Sequence, residues 1–148
     1  MIRTELNVMT GEIAEIELTA DEIAALSIPL VDVQAAQSSV IDQAYAATVT
    51  ADIAFTTSAG VAATFQADAD SQQVLSVSVQ GYDMAGEVPS GFFWKATDNS
   101  QVAFTLADLK GLYQAMLARG WTAFQKRTTL KAEIAAATTV AAVQAITW

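Results

Sequence analysis

Paired carboxylates are the acid–base chemistry left to weigh first in this chain, because it contains neither histidine nor cysteine. The commonest general base, the commonest metal ligand and the thiol nucleophile are therefore missing, and a serine triad of the usual kind has no imidazole to build on. The closest carboxylate pair is Asp68 and Asp70 in Ala67-Asp68-Ala69-Asp70-Ser71. A glycosidase needs two carboxyls facing each other across a substrate cleft, whereas aspartates just before a helix complement its positive end. Capping is the expected role. The same stretch lacks the glycine-containing loop and terminal glutamate of an EF-hand, and Asp83 and Glu87 complete no metal-ligand set. Gly81, Gly86 and Gly91 lie five apart with no lysine-serine or lysine-threonine pair behind them, so no phosphate-binding loop is expected. The residue inventory points away from an enzyme, and no cofactor or metal is expected.

Aromatic residues are the other candidates. Phe92-Phe93-Trp94 is a run that can stack on sugars or bases, although in a hairpin packed on a helix such residues more often fill a core. Trp121 carries the same two readings, and Trp148 is a candidate anchor in a partner's pocket. Phe92, Phe93, Trp94, Trp121 and Trp148 are therefore the candidate interface residues. The basic cluster Lys126, Arg127 and Lys131 reads as a solvated or ion-paired helix face.

The elements that must position these residues follow from periodicity. Ile2 to Val8 and Glu12 to Leu18 alternate apolar and polar residues around Thr10-Gly11, which predicts two strands, a hairpin or an edge added to a neighbour's sheet. Thr19 with Glu22 offers a capping box for a short helix that stops before Pro29. Val33, Ala36, Val40, Ile41, Ala44 and Tyr45 predict a helix from about Leu30 to Ala47. Its other face carries Asp32, Gln34, Gln37, Asp42 and Gln43, few charges for a solvated surface, which suggests cover by a partner.

Val49 to Gln66 turns β-branched and aromatic around Thr57-Ser58-Ala59-Gly60, a hairpin pattern. Asp68, Asp70 and Ser71 are candidate N-caps of a helix over Gln72 to Tyr82, and Asp83 to Gly91 reads as a loop. A further hairpin is expected around Thr97-Asp98-Asn99-Ser100, flanked by Phe92 to Ala96 and Gln101 to Phe104. Thr105 then caps a helix with Asp108 at its third position. Leu106, Leu109, Leu112, Tyr113, Met116 and Leu117 mark its apolar stripe. Trp121, Phe124, Thr128, Leu130 and Ile134 continue the spacing, so one long helix to about Ala136 is expected, with Gly120 a place for a bend. Thr138 or Thr139 caps a last short turn.

The expected fold class is thus α+β, several helices including a long C-terminal one with small antiparallel β-hairpins. Residues 1–68 form an N-terminal attachment region of strands, helices and a hairpin. Residues 69–148 form a C-terminal domain of helix, hairpin and long helix. At 53% hydrophobic the chain is apolar for 148 residues, although much of that is alanine, which contributes little area. Some of the remainder suits an interface. A net charge of −9 repels phosphate backbones, so nucleic acid is not an expected partner. Asp32, Asp42, Asp52 and Asp70 break up the best apolar stretches, so no membrane span is expected, and no basic segment with an apolar core marks export. Cytosolic synthesis is the default.

The stretch from about Asp70 to Trp148 resembles a phage tail-associated family known mainly by a C-terminal domain of unknown function. The resemblance lies in Phe93-Trp94-Lys95-Ala96-Thr97-Asp98-Asn99, then Val102-Ala103-Phe104-Thr105-Leu106, a helix with Leu109, Leu112 and Tyr113, and the closing Leu130 to Val140 with Val143, Ile146 and Trp148. The segments Thr10-Gly11-Glu12-Ile13 and Thr19-Ala20-Asp21-Glu22-Ile23 are similar to N-termini of such proteins. The resemblance implies a structural component of a bacteriophage tail, baseplate or tail-fibre-associated, with no catalytic residues. Its implied partners are other tail, baseplate or fibre proteins and further copies of itself in a homo-oligomer, in the virion tail after synthesis in the host cytoplasm. A tail-fibre assembly chaperone that leaves before the virion matures is the alternative.

Overall fold

A computed structural model describes residues 1–19 and 28–148. Among these the protein is α+β, with three separate two-stranded antiparallel hairpins and four helices. The order is β1 (Ile2–Leu6), β2 (Ile13–Glu17), α1 (Leu30–Thr50), β3 (Ile53–Thr56), β4 (Ala62–Phe65), α2 (Ala69–Ala85), β5 (Phe93–Lys95), β6 (Gln101–Ala103), α3 (Leu106–Ala136) and α4 (Val140–Ala145). The short helix expected between Thr19 and Pro29 lies outside the described residues. The N-terminal strands pair with each other, Ile2 opposite Glu17 through Leu6 opposite Ile13.

Local chemistry explains the boundaries. Asp68 is the N-cap of α2: its Oδ1 accepts the Ser71 N–H at 2.9 Å and its Oδ2 the Ser71 hydroxyl at 2.7 Å. The helix therefore starts at Ala69, before the expected Gln72, and runs through Asp83 into the expected loop until Gly86 closes it in the left-handed region, φ 82°. Only a residue without Cβ adopts that conformation cheaply. Thr105 and Asp108 form the expected capping box of α3, and Thr139 caps α4 through the Ala142 N–H. In the β5–β6 turn Asp98 Oδ1 accepts the Ser100 N–H at 2.9 Å while Asn99 takes φ 68°, the turn chemistry its sequence implies.

α3 has 31 residues, about 46 Å at 1.5 Å per residue, and passes through Gly120 without interruption. It supports two apolar cores. The first gathers Phe65, Leu75, Val102, Phe104, Leu109 and Leu112 from the second and third hairpins, α2 and the first half of α3. Phe104 sits at its centre, edge-on to Phe65 at 5.2 Å and tilted against Phe55 and Trp94 at 6.0 and 6.5 Å between ring centroids. The Thr97 N–H donates to the Thr64 carbonyl at 2.9 Å, tying the two hairpins together. The second core is Ile41, Ile134 and Val143, with Leu30, Val33, Leu130, Ile146 and Trp148 around it. Both cores join residues from before and after position 68.

Two expected stripes are displaced. In α1 the inward face runs through Leu30, Gln34, Gln37 and Ile41, while Val40 is exposed. The glutamines face inward because they have acceptors there: Gln34 Nε2 donates to the carbonyls of Ile134 and Ala137, and Gln37 Nε2 to that of Ile146. These carbonyls lie at the ends of α3 and α4, where the helix supplies few donors of its own. The weakly charged face of α1 is thus covered in part by the chain's own C-terminal helices. In the second half of α3, Ala123 and Ile134 are buried, whereas Trp121 and Phe124 remain exposed.

Candidate interaction surface

The displaced stripe of α3 builds the most prominent surface feature. Leu117, Trp121 and Phe124 recur at helical spacing and are 55, 60 and 44% exposed. Trp121 and Phe124 stack, centroids 5.8 Å apart and planes 20° from parallel. They flank a groove of about 550 Å³ where α1, α2 and α3 meet, with Tyr45 and Val49 from α1, Gln72 from α2 and Tyr113 and Met116 from α3. Gly120 lies on its wall, and nothing stands within 4 Å of where a Cβ would be. The groove exists because α2 packs on the first half of α3 and α1 on the second half, leaving space between.

Polar ties hold the groove's walls. Gln72 Nε2 donates to the carbonyls of Val49 and Ala67 at 2.9 and 2.6 Å, joining α2 to the end of α1. The Arg119 guanidinium donates to the carbonyls of Val49 and Ala51 at 2.9 and 2.6 Å and closes the same helix end. Burial lowers its pKa from the ordinary guanidinium value, and Asp52 offsets part of that. Further along, Asp42 receives Arg127 Nε at 2.6 Å and Lys131 Nζ at 2.8 Å, and these hydrogen bonds hold its carboxyl below the usual 3.8. Two members of the basic cluster are therefore ion-paired. The third, Lys126, places its Nζ 4.7 Å from the centroid of the Trp148 ring.

Asp108 makes the most connected polar site. Its Oδ1 accepts the Ser58 N–H at 2.7 Å, and its Oδ2 accepts the hydroxyls of Ser58 and Thr105 at 3.1 and 2.7 Å. Burial alone would raise its pKa; the donors from Thr105 and Ser58 outweigh that and leave it below the ordinary value. The site locks the β3–β4 turn onto α3. With its oxygens engaged in this way it is a structural carboxylate, and so is Asp68, lowered by its bonds to Ser71.

The five candidate interface aromatics do not converge. Phe92 and Trp94 are half-buried against the first core. Phe93 points to the opposite face of β5, 42% exposed over a shallower groove with Val74 and Asp70. Trp121 stands in the main groove, and Trp148 packs on the chain's own second core. Leu117, Phe124 and Gln72 help line the groove but are not among the interface residues expected from sequence. The Leu117-Trp121-Phe124 spacing carries the signal, though it reads equally as core. Among the described residues no three acidic side chains come together to hold a metal ion, and no helix is long and apolar enough to cross a membrane.

These features define a helix-and-hairpin α+β protein that carries an open, mainly apolar groove with aromatic walls. Residues 32–147, more than three-quarters of the chain, match the family model described as Domain of unknown function (DUF4376), and the chain belongs to that family. No curated protein and no solved structure matches it.

Proposed function

We propose that the protein is a structural component of a bacteriophage tail, baseplate or tail-fibre-associated, that works through protein–protein contacts and not through catalysis. The observation that carries this reading is the exposed Leu117-Trp121-Phe124 wall of the groove. Aromatic residues at a groove centre are the usual anchors of protein interfaces, and contiguous apolar surface is costly to leave in water. The resemblance of Phe93 to Asn99 and of the following helix to phage tail-associated proteins supplies the particle. The partners in this reading are other tail, baseplate or fibre proteins, alongside further copies of the chain, with neither nucleic acid nor membrane.

Mass spectrometry of purified, washed virions tests the proposal: the protein is expected in mature particles, and Trp121→Ala with Phe124→Ala should remove it from them while the purified variant keeps its fold. Absence from mature particles whose fibres still require it for assembly would make it a fibre-assembly chaperone instead. Absence with no effect on assembly would end both readings.

A further inference from the structure

The β1–β2 hairpin exposes apolar side chains on a sheet of only two strands. Ile2, Leu6 and Ile13 share one of its faces and are 59, 60 and 70% exposed. A lone two-stranded hairpin is marginal in water, and three or more strands stabilise it. Its edges decide what can be added.

The phase of the ladder is set by two backbone bonds at its ends. The Leu18 N–H donates to the Met1 carbonyl at 3.0 Å and the Asn7 N–H to the Glu12 carbonyl at 2.9 Å. In an antiparallel pair such bonded positions recur every second residue, so Arg3 and Glu5 turn their backbone groups towards β2. Ile2, Thr4 and Leu6 turn theirs outward. Among the described residues β1 pairs with β2 alone.

The outward edge is complementary to its own reverse. Ile2-Arg3-Thr4-Glu5-Leu6 laid antiparallel on a second copy, with Thr4 facing Thr4, sets Arg3 opposite the second copy's Glu5 and Ile2 opposite its Leu6, each twice by symmetry. The apolar row then continues from Ile2 of one copy to Leu6 and Ile13 of the other. Arg3 and Glu5 already pair within the strand at 3.0 Å, and both are half-exposed, so they can engage across the new seam as a four-charge cluster. Neighbouring registers are worse, because two-fold pairing about Arg3 or about Glu5 puts like charges face to face. The other edge rejects self-pairing for the same reason: β2 folded on its own copy about Glu15 sets Glu15 against Glu15 and Ile13 against Glu17.

We propose that β1 joins edge to edge with β1 of a second copy, antiparallel about Thr4, making a two-fold symmetric four-stranded sheet. This interface is distinct from the groove on α3 and does not depend on the tail assignment. It uses six outward backbone groups per copy that pair with no strand among the described residues, and it is isologous, so it closes at the dimer.

The test uses the full chain. Sedimentation equilibrium across a dilution series should show a monomer–dimer equilibrium. Arg3→Glu should raise the dissociation constant by about tenfold or more, since two attractive cross-strand pairs become repulsive. The exchange Arg3→Glu with Glu5→Arg restores both pairs and should return the constant to near the original. Because the chain has no cysteine, Thr4→Cys introduces a single thiol that faces its own copy across the seam, and mild oxidation should link it into a covalent dimer. Glu15→Cys, on the other edge, should link far more slowly. A chain that stays monomeric throughout, a charge exchange that fails to restore association, or equal linking at positions 4 and 15 would each overturn the proposal.

Discussion

The two halves of α3 are held by different chemistry. Its first half is gripped by interlocked rings and aliphatic residues: Phe65, Leu75, Leu109 and Leu112 are fully buried and Phe104 nearly so. Its second half rests on a smaller core of Ile41, Ile134 and Val143, ringed by half-buried Leu30, Val33, Leu130, Ile146 and Trp148, and adds polar ties through Gln34, Gln37 and the Asp42 pair with Arg127 and Lys131. A small apolar core gains geometric definition from such bonds more than net energy, since each replaces bonds to water. The lesson is that one continuous helix can be anchored at one end by volume and at the other by hydrogen-bond address.

Substitutions should separate these modes. The largest effect is expected in the first core, where Phe65→Ala or Leu109→Ala should cost about 3–5 kcal/mol by chemical denaturation. A loss below about 1 kcal/mol would show that the rings do not hold that half. Tyr113, only half-buried on the groove wall, should cost less than either. Asp108→Ala removes the carboxylate that accepts the Thr105 N–H in the α3 capping box and frees the Ser58 turn, an expected loss of about 2–3 kcal/mol. In the second region Gln34→Ala should cost about 1–2 kcal/mol, because the Ala137 carbonyl loses its Gln34 donor and that of Ile134 is left with the long Ala137 N–H bond at 3.3 Å.

Two glycines on α3 sharpen the contrast. A Cβ at Gly111 would lie 3.0 Å from the Phe55 ring, so Gly111→Ala should destabilise by about 1 kcal/mol despite the better helix propensity. At Gly120 the space is open, and Gly120→Ala should stabilise by about 0.5–1 kcal/mol. Equal outcomes at the two sites would mean the first core yields to an added methyl.

Acid probes both regions at once. Asp42 and Asp108 have folded pKa values below the ordinary 3.8, so each contributes stability that is present above that value and lost as pH falls through the lowered one. Unfolding free energy should therefore decline below about pH 4, and Asp108→Asn should flatten that decline. An unchanged slope in the Asp108→Asn protein would assign acid sensitivity elsewhere.

Much of the fold was legible because its boundaries are set by local side-chain chemistry. Asp68, Thr105 and Thr139 cap as their types suggest, and the Asp98-Asn99 turn forms where expected. What escaped was the facing of helices. Trp121 and Phe124 carry far more apolar area than Ala123 or Arg127, yet the small Ala123 is buried and Arg127 finds Asp42 on α1. Gln34 and Gln37 read as surface because their acceptors belong to helix ends about 100 residues away. Gly111 gave no local sign, since the approach of Phe55 is a tertiary fact. Of the candidate surface, Trp121 was picked out individually, while the groove it faces required three helices to be placed.

The placement of the three tryptophans gives the protein a built-in set of optical reporters. Trp94 lies against the first core, Trp148 against the second with Lys126 above its ring, and Trp121 stands in the open groove. Emission from single-tryptophan variants would then follow each half of the long helix, and occupancy of the groove, as separate signals from the same molecule.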